Sequence, residues 1–165
     1  AKQIVQGVGE RKFGTNAKVS RAEFASLIVR AFGLRTEGAS HSFADVKEGS
    51  WYAEDVASAA KAGLILGKTP NAFDPGGKLT RLEAAIILDR LLKNAGGLPP
   101  GATALEGFED AGKLSPAAYE AFSRLVGIGL MQGDDRHRLR PNDSLTRAEA
   151  AVLLAKLYRL VPPQD

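Results

Sequence analysis

The sequence predicts an all-α bundle of helix–loop–helix repeats, and three observations carry that expectation. The first is a helix written three times, VSRAEFASLIVRAF at 19–32, LTRLEAAIILDRLL at 79–92 and LTRAEAAVLLAKLY at 145–158, with Arg21, Arg81 and Arg147 separated by 60 and 66 residues. The second is a pair of shared offsets: Gly7, Gly67 and Gly133 stand fourteen residues before their arginine, and Phe13, Phe73 and Leu139 stand eight before it. The third is a further helical pattern ahead of the last two copies, where Val56, Ala59, Ala60 and Gly63, then Tyr119, Phe122, Val126 and Gly129, keep three- and four-residue spacing.

The recurring helix declares its own start. Ser20, Thr80 and Thr146 are each followed three residues later by Glu23, Glu83 and Glu149, the pattern of a reciprocal capping box that contributes about 1 kcal/mol. Apolar residues then recur on one face: Leu27, Ile28 and Ala31; Ile87, Leu88 and Leu91; Leu153, Leu154 and Leu157. Helices are expected near 20–33, 51–62, 80–93, 115–127 and 146–159, with a loop from Gly7 before the first. A full unit is thus a leading helix, a glycine-marked loop and a capped motif helix. FADVKEGSWYAEDVASAAKAGLILG at 43–67 parallels FEDAGKLSPAAYEAFSRLVGIGLMQG at 108–133, whereas AKQIVQG at 1–7 matches only the tail of a leading helix. LRTEGASHS at 34–42 and KNAGGLPPGATALEG at 93–107 read as linkers, dividing the chain into a partial repeat at 1–40 and repeats at 41–100 and 101–165.

With 165 residues, 44% hydrophobic and 25% charged, the chain has enough apolar side chains for a core, and its net charge of +3 is interspersed rather than blocked. The absence of cysteine excludes disulfides and thiolate metal sites. No apolar run reaches the length of a membrane span, and no charged-then-apolar start reads as a signal peptide, so membrane insertion is not expected. The chain starts at Ala1 without an initiator Met, as a piece of a longer polypeptide would.

Tandem units with F-x-D-V, a Trp near the leading helix, a glycine loop and T-R-A-E opening the motif helix resemble the S-layer homology domain family, over nearly the whole chain. The resemblance implies a pseudo-threefold bundle with three motif helices packed centrally and ligand grooves between neighbouring units. It also implies an extracellular, non-catalytic module of the cell wall and S-layer. Such a module holds a surface-layer protein or exoenzyme, its cargo, on the envelope by binding anionic secondary cell wall polysaccharide, often through a pyruvylated sugar. No cofactor is implied. Two departures stand out: the third unit has no Trp at the place of Trp51, and its loop reads GDDRHRLRP where the second has GKTPNAFDP.

The arginines pose the sharpest physical question. Each occupies the first helical position, where the helix dipole disfavours a cation by roughly 0.3–1 kcal/mol. Two answers are open: an anionic ligand that meets the guanidinium and the exposed N–H groups of the helix end together, or an internal partner such as Asp45 or Asp110. Arg81 and Arg147, then Arg21, are the expected ligand contacts. Gly67 and Gly133 either end a helix in a left-handed conformation or let a sugar approach the backbone. Trp51 either stacks on a sugar or anchors packing. Asp45 and Asp110 either cap a helix, hold an arginine or bind sugar hydroxyls, and the run DDRHRLR at 134–140 is either a solvated loop or an electropositive rim.

Other functions are disfavoured. There is no G-x-S-x-G, and neither His41 nor His137 sits in a catalytic or metal-binding motif, so no metal is expected. The small net charge and the apolar faces of the motif helices argue against reading nucleic acid.

Overall fold

The computed structural model describes residues 16–96 and 104–161. Gly7, Phe13, the AKQIVQG segment and residues 97–103 of the second linker lie outside the described residues. The fold is all-α: α1 (Arg21–Ala31), α2 (Ala53–Lys61), α3 (Arg81–Asn94), α4 (Pro116–Gly127) and α5 (Arg147–Leu160), with a 3-10 turn at Ala111–Lys113. Among the described residues there is no strand, only isolated bridges. Two compact units result, one formed by residues 1–79 and 145–165, the other by 80–144.

The three capping boxes form as the spacing predicts. Ser20, Thr80 and Thr146 accept from the backbone N–H of Glu23, Glu83 and Glu149 at 3.1 Å each. The glutamates accept in return from the cap N–H groups at 2.8, 2.9 and 3.3 Å. α4 starts differently, with Ser115 as cap and Pro116 at the first helical position, where a missing N–H costs nothing.

In the first unit α1 packs on α2 and on α5; in the second, α3 packs on α4. Ile28, Ala31, Ile87, Leu88, Leu91, Leu153, Leu154 and Leu157 are buried, as their periodicity requires. Leu27 is the exception. It is only half-buried, and Phe24, one helical turn earlier, is fully buried instead. Ion pairs tie leading to motif helices, among them Arg30 to Asp55 at 2.9 Å between α1 and α2, and Arg124 to Asp89 at 2.6 Å between α4 and α3. Both carboxylates are buried.

The residues just before the caps close a ring within the first unit. Val19 N–H donates to Leu145 O at 3.0 Å, Leu145 N–H to Leu79 O at 2.8 Å, and Leu79 N–H to Val19 O at 3.1 Å. All three side chains are buried, so each backbone group finds the partner that a dry site demands.

The glycines divide differently from the sequence expectation. Gly63 and Gly129, not Gly67 and Gly133, end α2 and α4 in the left-handed region, with φ of +70° and +73°. Leu64 N–H returns to Ala59 O and Leu130 N–H to Leu125 O, the closure of a Schellman motif. Gly67 and Gly133 have another reason to lack a side chain. A Cβ on Gly67 would fall 2.7 Å from Phe43 Cε1 and 2.2 Å from Thr69 O, and one on Gly133 would fall 2.3 Å from Phe108 Cε1.

Gly133→Ala is therefore expected to destabilise the protein by about 1–3 kcal/mol through overpacking against Phe108. Chemical denaturation of Gly133→Ala, alone and combined with Phe108→Leu, checks this: the second substitution should recover part of the loss.

Candidate functional site

The arginines at the first helical position turn onto loop carbonyls. Arg21, buried, donates from Nε to Phe73 O at 2.7 Å and from Nη2 to Leu66 O at 3.2 Å, with its guanidinium 4.9 Å from the centre of the Phe73 ring. Arg81, also buried, repeats the geometry with Leu139 O at 2.9 Å and Gln132 O at 3.0 Å. Arg147 donates from Nη1 to Glu23 Oε1 at 2.7 Å. Backbone oxygens of the glycine loops accept from Arg21 and Arg81, a capping-box glutamate accepts from Arg147, and the charge of Arg21 also acts on Asp45.

The helix ends are likewise closed. Arg21 N–H donates to Gly77 O and Ala22 N–H to Pro75 O; Arg81 N–H donates to Asp143 O and Leu82 N–H to Pro141 O; Arg147 N–H donates to Ala17 O. With the third amide of each helix held by the cap hydroxyl, the first turn of α1 and of α3 offers no open donor row to an incoming anion. This corrects the expectation of exposed N–H groups beside the arginines. The negative partial charge that the dipole attracts is supplied by carbonyl oxygens of the following glycine loop.

Asp45 and Asp110 organise that same loop. Asp45 accepts from the N–H of Phe73 and Asp74 at 2.8 and 2.7 Å, and Asp110 from Leu139 and Arg140 at 2.8 Å each. Asp74 and Arg140 both hold positive φ, +60° and +53°, so the carboxylate fixes an unusual backbone turn. Burial acts to raise the Asp45 pKa, but the hydrogen bonds from Phe73, Asp74 and its own amide, with the charge of Arg21, outweigh it and hold the carboxyl below its ordinary value.

The remaining site residues fall into two separate grooves. Trp51 is 58% exposed, edge-on to Tyr52 at 5.3 Å and 5.9 Å from the Arg30 guanidinium. It lines an open groove of about 970 Å³ in the first unit, together with Arg35, Glu37, Glu48 and Glu54. Asp110 lines a groove of about 650 Å³ in the second unit with Lys113, Ser115, Arg138, Arg140 and Asp143. None of the arginines of the repeated motif, nor Gly67 or Gly133, lines either groove.

The loop Asp134–Arg140 shapes the second groove. Asp134 accepts from the backbone N–H of Arg136 and Arg138 and pairs with the Arg138 guanidinium at 2.8 Å. Burial raises its pKa, but these Arg138 and Arg136 contacts overcome that and lower it. Arg140 lies 3.6 Å from Asp143. Lys113 is the lining residue that motif reading passed over. Its signal lies in aligning the repeats: Lys113, Arg138 and Arg140 take the places of Glu48, Ala72 and Asp74.

The S-layer homology domain family matches residues 1–25, 42–85 and 107–151. The chain is 31% identical over 154 residues to an amylopullulanase of Thermoanaerobacterium thermosulfurigenes, covering 93% of this chain and 8% of that protein. It is 31% identical over 156 residues to the surface-layer 125 kDa protein of Lysinibacillus sphaericus, covering 93% and 13% respectively. It is 33% identical over 159 residues to an S-layer protein of Bacillus thuringiensis subsp. finitimus, covering 94% and 18%. The chain spans less than a fifth of the length of each of these relatives. It belongs to the S-layer homology domain family, and is a non-catalytic, cell-surface module of the kind that anchors proteins to the cell wall. No helix among the described residues is long and apolar enough to cross a membrane.

The depressed Asp45 pKa gives a sign to the acid response. The folded value lies below the ordinary 3.8, so its stabilising contribution is present above 3.8 and is lost as pH falls through the folded value. Asp45→Asn should lower stability at neutral pH and lose less than the parent below pH 3.8, as read by denaturation at a series of pH values.

Proposed function

We propose that this module anchors a larger protein by binding acidic secondary cell wall polysaccharide, with an anionic substituent such as a pyruvate ketal seated in the groove of the 101–165 repeat. The observation that carries the reading is the charge difference between equivalent positions of the two full repeats. Lys113, Arg138 and Arg140 line the groove of the second unit, whereas repeat 41–100 has Glu48, Ala72 and Asp74 at those places. A carboxylate from a sugar can displace Asp143 from Arg140 and find Lys113 on the same wall. Beside Glu37, Glu48 and Glu54 it would be repelled. In this reading Trp51 contributes an apolar platform for an uncharged sugar face, separate from the anion contact.

The motif arginines act here as positioning residues. Arg21 holds one glycine loop through Phe73 and Leu66, and Arg81 holds the other through Leu139 and Gln132, setting the backbone from which Arg138 and Arg140 project. Weak binding at one groove, repeated along a polymer by many anchored copies, supplies avidity. The amylopullulanase and S-layer relatives support a cargo attached to the module, enzymatic or structural.

The test installs the residues of one repeat in the other. Lys113→Glu, Arg138→Ala and Arg140→Asp together copy positions already tolerated at Glu48, Ala72 and Asp74, the last at the same positive φ. Co-sedimentation with purified wall sacculi should weaken about tenfold or more, and its sensitivity to salt should shrink. Sacculi stripped of anionic polysaccharide should bind neither form. Unchanged retention of the triple variant would defeat the groove assignment.

Arg81→Ala separates positioning from contact. It should lower folding stability by about 2–4 kcal/mol, because Leu139 O and Gln132 O lose a charged donor in a buried place. The folded fraction should lose less affinity for sacculi than the Lys113→Glu, Arg138→Ala, Arg140→Asp variant, since the contact side chains remain.

A further inference from the structure

The groove beside Trp51 is acidic where the groove around Lys113 is basic, and a buried carboxylate behind it is only half satisfied. Its wall sets Glu37, Glu48 and Glu54 against Arg35. Behind that wall lies Asp55, 0% exposed. Its Oδ2 accepts from Arg30 at 2.9 Å. Its Oδ1 has no hydrogen-bond partner among the described residues, and Arg35 Nε stands 3.9 Å from it, beyond hydrogen-bond reach. The second unit shows that a helix pair does not force this: buried Asp89 takes Arg124 on Oδ1 at 2.6 Å and Lys93 on Oδ2 at 2.8 Å. A buried oxygen with an idle lone pair is uncommon and costly.

Arg35 connects that oxygen to the groove. The backbone on either side of it is pinned, since Leu34 N–H donates to Val29 O at 2.9 Å and Thr36 N–H to Ser58 Oγ at 3.0 Å. The side chain, 57% exposed, pairs with Glu54, 75% exposed. A pair so open to water contributes little, whereas a donor for Asp55 Oδ1 would satisfy a group that water does not reach. What opposes the inward turn is the groove itself. Without Arg35 its wall would carry three carboxylates and no facing cation, and a cationic guest removes that obstacle.

We propose that this groove is a binding site for a sugar carrying a free ammonium group, which takes the place of Arg35 beside Glu54 and lets Arg35 close on Asp55. The carboxylates receive the charge, and the exposed face of Trp51 receives the sugar ring and adds attraction for the cation. Arg30 joins the two ends of the arrangement, 5.9 Å from the centre of the Trp51 ring and bonded to Asp55. This site and the anion groove share no lining residue, so either assignment can fail alone.

Trp51 is the only tryptophan of the chain, so its fluorescence reads the site directly. The probe is a glucosamine tetramer titrated into the whole chain at about pH 6, below the range in which such amines lose their proton. A saturable change is expected, and Glu48→Gln and Glu54→Gln, both at exposed positions, should each weaken binding about tenfold with the fold intact by circular dichroism. The N-acetylated tetramer, with the same rings and no charge, should bind about tenfold more weakly or worse. In proton–nitrogen NMR spectra the Arg35 Nε–H, assigned through Arg35→Lys, should exchange more slowly with water as the tetramer saturates. Equal affinity for the acetylated tetramer, parent affinity in both glutamine variants, or an Arg35 signal unchanged at saturation overturns the proposal. So does an equal response to lysine amide, since the sugar would then contribute nothing.

Discussion

The link from one repeat to the loop of the next passes through the first turn of a motif helix. A helix start carries unsatisfied N–H groups and positive partial charge, and a buried start must find acceptors. Here the acceptors are carbonyls of the following glycine loop: Pro75 and Gly77 for α1, Pro141 and Asp143 for α3. The arginine at that helix start then reaches the other end of the same loop, clasping Leu66 and Phe73 or Gln132 and Leu139. A cation beside a positive helix end is tolerable because both sources of positive charge share one set of oxygens. The loop in turn cannot hold this shape unless Asp45 or Asp110 grips its amides from the inside. Helix end, loop and leading segment are thus conditional on one another.

This interdependence separates framework from surface. Residues that recur in the repeats, the cap and its glutamate, the arginine, the glycine, the aspartate of F-x-D, all close hydrogen bonds or contacts inside the protein. Three walls of the second groove do not recur: Lys113, Arg138 and Arg140 stand where the other full repeat has Glu48, Ala72 and Asp74. Repetition in this chain marks how the repeats are assembled, and difference between repeats marks where they meet the outside. The module is one scaffold offering electrostatically distinct surfaces.

The sequence makes most of the secondary structure legible, because the capping boxes and apolar stripes are local signals. The five helices fall within two residues of their expected ends. Leu27 departs from the expected stripe because spacing alone leaves the stripe's angular centre open, and the larger Phe24 takes the buried side. The arginine contacts were not legible for a deeper reason. Their acceptors are backbone carbonyls 52 and 58 residues away for Nε, and a carbonyl leaves no mark in the residue alphabet. Gly67 and Gly133 were legible as positions that exclude a side chain, but not as the seats of Phe43 and Phe108, because ring and glycine meet only after the loop has folded back. Asp45 and Asp110 are visible as recurring residues, but the loop amides that donate to them are not.

The buried ion pairs add a constraint that repetition alone would not supply. A chain made of near-copies risks pairing a leading helix with the wrong motif helix, since the apolar stripes are alike. The polarity of the pairs is reversed between the two cases: the motif helix gives the cation in Arg30–Asp55 and the anion in Asp89–Arg124. An exchange would set Asp89 beside Ser58 and Arg124 beside Val29, leaving both charges without the partners they have here. A buried pair adds little net stability over well-packed apolar residues, whereas breaking one is costly. The value of these pairs therefore lies in the penalty they place on the exchanged arrangement, which lets similar helices find different partners within one chain.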